Sequence, residues 1–203
     1  MAKKDLGKYQ PLSYFQLMEV TLRELLVEKG IVTEAQIEAE VEDMRSRTPE
    51  RGARVVAHAW TDPGYKARLL ENGTKACEEL GLDVPALKLV IVENTPQVHN
   101  AIVCTLCSCY PRMLLGIPPD WYKSRSYRSR MVREPRAVLA EFGLEIPDRV
   151  QIRVHDSTAD MRYLVLPMRP EGTQGWSEER LAALVTRDSM IGVSVPKPPG
   201  TRP

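Results

Sequence analysis

Apolar residues return at helical spacing in the first quarter of the chain. Phe15, Met18, Leu22, Leu25 and Leu26 form one stripe, and Ile37, Val41 and Met44 form a second. Gly30 stands where the first helix must stop, since a glycine just past a helix end takes the left-handed conformation without strain. Thr33 with Gln36 is a capping-box pair that starts the next helix. The pattern predicts a helical hairpin, whose stripes close on each other or on another subunit, and then a charged break over residues 45–52. Residues 1–12, with Lys3, Lys4 and Pro11, have no apolar period and read as a loose tail.

Past the break the elements shorten and alternate. Thr61-Asp62-Pro63 is a helix start with proline near the first position, and short helices are expected over 63–71 and 74–80, ended by Gly81. The β-branched run LKLVIV (87–92) predicts a strand, and residues 101–103 a second one. Pro118 and Pro119 start a turn of helix around Trp121, and residues 135–142 a longer one stopped by Gly143. Strands follow over 150–154 and 162–166, and Ser177 caps a final helix with Glu178 and Glu179 in its first turn. Four prolines and a glycine in 195–203 predict a disordered tail. The fold class expected is therefore α/β (α+β): an N-terminal helical arm over 1–52, a mixed α/β domain over 53–194, and the tail.

Composition narrows the functional classes. Twenty-eight Lys and Arg nearly balance 27 Asp and Glu, so charge gives no reason to expect nucleic acid or an anionic membrane as partner. The basic start is followed by no apolar core of a signal peptide, and no stretch approaches the roughly 18 apolar residues of a membrane span. A cytoplasmic location is the simplest expectation. The cysteines change the picture: three of the four, Cys104, Cys107 and Cys109, lie within six residues. A disulfide scaffold spreads its cysteines to staple distant loops, whereas this clustering indicates metal or redox chemistry.

Spacing alone leaves several chemistries open. Structural zinc wants four Cys or His ligands, and Cys77, His58, His99 and His155 are the only further candidates, none in a second knuckle. Iron–sulfur clusters also prefer four cysteines, and a redox C-x-x-C pair leaves Cys109 unexplained. One physical point bears on this choice. If Cys107 and Cys109 both ligate one ion, the intervening peptide is held against it, and the backbone nitrogens of Ser108 and Cys109 face the metal. Amide nitrogen ligates well only when deprotonated, which suits a trivalent low-spin ion and not Zn²⁺.

The segment VCTLCSCY (103–110) resembles the metal-binding signature of nitrile hydratase α-subunits, shared with the corresponding subunit of thiocyanate hydrolase. The resemblance extends through AWTDP (59–63), VENTPQVHN (92–100), LGIPPDWYKS (115–124), YRSRMVREPR (127–136), MRYLVLPMRP (161–170), GWSEE (175–179) and LVTRDSMIGV (184–193). It implies a metal domain of that family's α-chain type. Its ligands would be the sulfurs of Cys104, Cys107 and Cys109 with the backbone nitrogens of Ser108 and Cys109. Cys107 would be oxidised to the sulfinate and Cys109 to the sulfenate. Thr105 and Tyr110 resemble the cobalt form, so one Co³⁺ per chain is expected, with iron the less favoured metal.

The same resemblance implies hydration of a small-molecule nitrile to its amide, with the metal supplying Lewis acidity and Cys109 and Ser108 at the reacting centre. Thiocyanate hydrolysis is the enzyme alternative; a cobalt-binding or redox module without hydratase activity is the non-enzyme one. A β-subunit, as one chain or two smaller ones, would close the site and supply arginines to the oxidised sulfurs. An activator protein would assist cobalt insertion. Arg133 and Glu134, in the REPR match, are expected behind the ligands, tying the metal domain to its partner. Arg128, Arg130 and Arg136 read as a solvated or interface face.

Two departures from the family pattern concern substrate. After CSCYP the family continues Trp-Pro, whereas this chain has Arg112-Met113. In addition, the loop Leu82-Asp83-Val84-Pro85-Ala86 is short and lacks the glycine-rich, glutamine-bearing form of some relatives. Both fit a bulky, polar nitrile, such as a nucleoside nitrile, with Arg112, Met113 and Trp121 as the pocket residues.

Overall fold

The computed structural model describes residues 12–84 and 88–198. The loose tail expected over 1–12 therefore lies almost wholly outside the described residues, as do 85–87 of the shortened loop and the end of the C-terminal tail. The chain divides into two compact units, one ending at Met44 and the next beginning at Arg45.

The first unit is the helical hairpin. Helix α1 (Tyr14–Glu28) starts at a capping box in which Ser13 and Gln16 exchange side chain–backbone hydrogen bonds. Gly30, at φ +65°, ends it: the Gly30 and Ile31 amides donate to the carbonyls of Val27 and Leu26, the double closure that favours glycine here. Helix α2 (Glu34–Ser46) begins at the Thr33–Gln36 box. Neither helix has a buried residue; Phe15 is 79% exposed and Leu22 57%. Most of the apolar stripe read from the sequence in α1 is exposed among the described residues.

The second unit opens at Arg45, at the start of the segment read as a charged break. Helix α3 (Pro49–Thr61) has proline in its first turn and buries Gly52, Ala53, Val55, Val56, Ala57 and Ala59. A Cβ at Gly52 would stand 2.7 Å from the Met190 sulfur, so the second half of the expected break at 45–52 is a core helix. Small residues carry little hydrophobic signal, although they allow close approach of α3 to its neighbours; this is why the start of α3 at Pro49 reads as a break in the sequence.

Helices α4 (Pro63–Glu71) and α5 (Gly73–Glu79) follow, capped by Asp62 and Asn72. Strands β1 (Lys88–Glu93) and β2 (Val98–Val103) come next, then the short helices α6 (Arg112–Leu115), α7 (Asp120–Lys123), α8 (Arg125–Arg130) and α9 (Pro135–Glu141). After β3 (Gln151–Asp156) and β4 (Met161–Leu166) the chain ends in α10 (Glu178–Ala182) and α11 (Arg187–Ile191). The mixed helix-and-strand class expected from the sequence is the one observed. Of the expected disordered tail, Pro196 is buried.

The four strands make two parallel pairs, β1 with β4 and β2 with β3. Parallel partners require a crossover, and the β2–β3 crossover carries the cysteine cluster and α6 to α9. Register sets Val103 opposite Asp156. The residues that leave both strand ends, Cys104 on one side and Asp156 and Ser157 on the other, thus emerge together at the carboxyl edge.

Candidate metal centre

β2 is buried along most of its length and delivers Cys104 fully buried; the loop beyond turns outward, with Cys107 exposed and Cys109 half-buried. The three sulfurs lie within 4.8 Å of one another. Cys107 Sγ is 3.5 Å from Cys104 Sγ and 3.1 Å from Cys109 Sγ, and the Cys107 amide donates to Cys104 Sγ at 3.2 Å. Among the described residues no His, Asp or Glu belongs to this group.

The electrostatics favour one thiolate in the cluster. Hydrogen bonds from the Cys109 and Cys104 thiols, with the backbone N–H groups of Ser108 and Cys109, bring the Cys107 thiol down to about 7. Burial, and then the Cys107 sulfur, push Cys109 up to about 12. Three sulfurs within 4.8 Å of one another on one short loop fit a thiophilic ion.

The loop is held by residues outside it. Asp156, at the end of β3, accepts from the Thr105 backbone N–H at 2.9 Å and from the Thr105 hydroxyl at 2.5 Å. Arg128 of α8 donates to the carbonyls of Cys104 (3.1 Å), Thr105 (2.9 Å) and Leu106 (2.9 Å). The Tyr122 hydroxyl donates to the Cys109 carbonyl at 2.8 Å, and the Tyr127 hydroxyl to the Ile102 carbonyl at 2.8 Å. Backbone carbonyls and amides beside the cysteines thereby receive fixed partners, which leaves the loop one shape.

These supports were not singled out from the sequence. Arg128 sat in the run read as a solvated face; its signal was its place in YRSRMVREPR, with nothing to distinguish it from Arg130. Asp156 is one acid after a strand, and only the β2–β3 register sets it beside Thr105.

The other candidates are placed as follows. Arg133 Nε donates to the Ser129 carbonyl at 3.0 Å, while Glu134 pairs with Arg130 at 2.5 Å. Arg112 is exposed at the start of α6; Met113 packs against the core, its sulfur 3.2 Å from Arg47 Nη1. Trp121 stands in an aromatic cluster, 4.9 Å from the Tyr127 ring and 4.7 Å from Phe142. Cys77 is buried in the core, its thiol pushed up to about 12 by burial. His58 pairs with Glu178, His99 with the Gly192 carbonyl and His155 with Asn100.

Comparison with known proteins agrees with this geometry. The family model for the nitrile hydratase alpha chain matches residues 13–194. This chain belongs to the nitrile hydratase alpha family. It is 53% identical over 181 residues to a nitrile hydratase subunit alpha from Rhodococcus sp, covering 88% of this chain and 91% of the relative. To the cobalt-containing nitrile hydratase subunit alpha of Pseudonocardia thermophila it is 53% identical over 179 residues, covering 87% and 88%. To thiocyanate hydrolase subunit gamma of Thiobacillus thioparus it is 45% identical over 201 residues, covering 93% and 83%. A recombinant thiocyanate hydrolase with partially modified cobalt centres superposes with TM-score 0.88 at 44% identity, covering 95% of this chain and 96% of that one. An Fe-type nitrile hydratase of Comamonas testosteroni Ni1 gives TM-score 0.87 at 46% identity, covering 94% of each. Cobalt and iron members thus share the backbone, and the fold does not select the metal. Among the described residues no helix is long and apolar enough to cross a membrane.

Proposed function

We propose that this chain is the metal-carrying subunit of a cobalt-type nitrile hydratase that converts a neutral nitrile to its amide. The observation that carries the reading is the convergence of three sulfurs within 4.8 Å on one short loop. Cys104, Cys107 and Cys109 would hold the ion through sulfur, and Ser108 and Cys109 through backbone nitrogen. When bound, the ion supplies the Lewis acidity that activates a nitrile or water. The names of three cobalt-containing relatives support cobalt over iron, as does the pair Thr105 and Tyr110.

Cys107 is read as a sulfinate and Cys109 as a sulfenate, successive products of thiol oxidation. Their anionic oxygens need cationic donors, and a β-type partner, one chain or two, is the proposed source; a cobalt-insertion activator is expected to load the site. The Cys109 sulfenate oxygen serves as nucleophile or as base towards water. Exposed Arg112 at the start of α6 supports a bulky, polar nitrile over a small aliphatic one. The site acts in the cytoplasm on this reading.

Thiocyanate hydrolysis is the second reading, supported by the relative from Thiobacillus thioparus. The deciding experiment is turnover by the assembled enzyme of a neutral nitrile and of thiocyanate, with cobalt analysis and intact-mass measurement on the same preparation. Amide formation with cobalt and three added oxygens, two on Cys107 and one on Cys109, is expected. Turnover of thiocyanate alone would replace the nitrile reading, and an active complex with three unmodified thiols would exclude the sulfenate role.

A further inference from the structure

Beside the cysteine loop a cleft of about 530 Å³ is lined by Thr105, Arg125, Arg128, Ser129, Val132 and Arg133. Three guanidinium groups share it, and among the described residues none of them forms an ion pair. Their neighbours differ: Arg130 pairs with Glu134 at 2.5 Å and Glu141 at 2.6 Å, and Arg136 lies 3.8 Å from Asp148. In a chain of net charge +1, unneutralised positive charge is concentrated in one place.

The donors are also only partly used. A guanidinium offers five N–H donors. Arg128 commits Nε and Nη2 to loop carbonyls, and Arg133 commits Nε to Ser129. Both Arg133 and Arg125 line the cleft, and the Nη groups of Arg133 and the guanidinium of Arg125 have no acceptor among the described residues. Like charges sharing a cleft repel, and a carboxylate between them relieves the repulsion while making paired charge-assisted hydrogen bonds.

We infer that this cleft is the docking site for an acidic segment of the second subunit, its carboxylates bridging Arg125 and Arg133. The inference rests on the heteromeric reading above and names the surface. A protein segment suits the cleft better than a small anion, because Val132, 46% exposed, stands among the arginines. Exposed arginine interleaved with apolar surface is the composition of a protein interface. Arg128 lines the cleft and also grips the Cys104, Thr105 and Leu106 carbonyls, so docking there stiffens the loop that carries the sulfurs. Arg133 enters this role, while Glu134, committed to Arg130, does not.

The test co-purifies the chain with its second subunit and measures their dissociation constant at low and high salt, for wild type and for Arg125→Glu/Arg133→Glu. The charge-reversed pair should weaken association at least ten-fold and flatten its salt dependence, with cobalt content and circular dichroism of the chain unchanged. Arg125→Lys/Arg133→Lys should fall between, since it keeps charge and loses the bidentate geometry. A hexaglutamate peptide should compete for the wild-type cleft far better than sulfate. Association and salt slope equal to wild type in the reversed variant would overturn the inference while leaving the heteromer intact. Absence of any wild-type complex would remove the heteromeric reading itself, and competition by sulfate alone would reassign the cleft to a small oxyanion.

Discussion

Asp156 holds Thr105 by two atoms at once, accepting from its amide at 2.9 Å and its hydroxyl at 2.5 Å. The pair links the end of β3 to the residue that follows the first sulfur. Both side chains are exposed, so its contribution to global stability is modest, about 1 kcal/mol. Its effect on the loop is larger, because ångström displacements of reacting groups cost up to about a hundred-fold in rate. Asp156→Ala should lower kcat roughly ten- to hundred-fold and speed metal loss, with a melting temperature within a few degrees of wild type. Asp156→Asn, which keeps an acceptor for the amide, should lie between. Steady-state kinetics with timed metal release measures this; unchanged values in both variants would make the contact ornamental.

The three clustered cysteines and the buried one should separate cleanly. Cys104→Ala, Cys107→Ala and Cys109→Ala should each abolish retention of the roughly one cobalt per chain, read by elemental analysis after gel filtration. Cys77→Ala should keep full metal content. It removes a sulfur from a fully buried core position, so a stability loss of about 1–2 kcal/mol is expected by denaturant titration.

Stability should fall in mild acid through two histidines. Burial lowers the affinity of His99 for a proton, partly offset by the Gly192 carbonyl, and burial with the nearby Arg153 charge lowers that of His155. The unfolded chain then binds protons that the folded chain refuses. The stabilisation is present above the ordinary histidine value of about 6.5 and is lost as pH falls through it towards the depressed folded values. Unfolding midpoints should drop between about pH 7 and 5. His155→Gln, which keeps a donor for Asn100, should flatten that slope; an unchanged slope would place the acid sensitivity elsewhere.

Selectivity should answer to Arg112 more than to Met113. Arg112 is exposed, whereas the Met113 sulfur is engaged by Arg47 and its side chain packs on the core. Arg112→Trp in the assembled enzyme should raise kcat/KM for a small nitrile relative to a bulky, polar one by roughly ten-fold, about 1.4 kcal/mol, at constant cobalt content. Met113→Pro alone should act mainly on thermal stability. Equal selectivity in Arg112→Trp would place the departure outside the pocket and end the argument for a large substrate.

The sequence by itself determined what is local. Capping pairs at Thr33–Gln36 and Ser177, the β-branched strands and three cysteines in six residues are all short-range signals, each fixed by backbone chemistry within a few positions. The cysteine cluster was legible for the same reason, since every sulfur in it comes from one loop. Tertiary structure decided what depends on contacts between distant segments. Helix α3 was obscured because four of its six buried residues are glycine or alanine, and Gly52 meets Met190 and Leu115 only once those residues arrive. Asp156 became a support through the parallel register of β2 with β3, and Arg128 through the fold of the crossover that returns α8 over the loop. Nor could charge along the chain distinguish Arg130, neutralised by Glu134 and Glu141, from Arg125 and Arg133, which are left facing a shared cleft. Sequence gives the number of charges; only the packing of helices decides which of them meet.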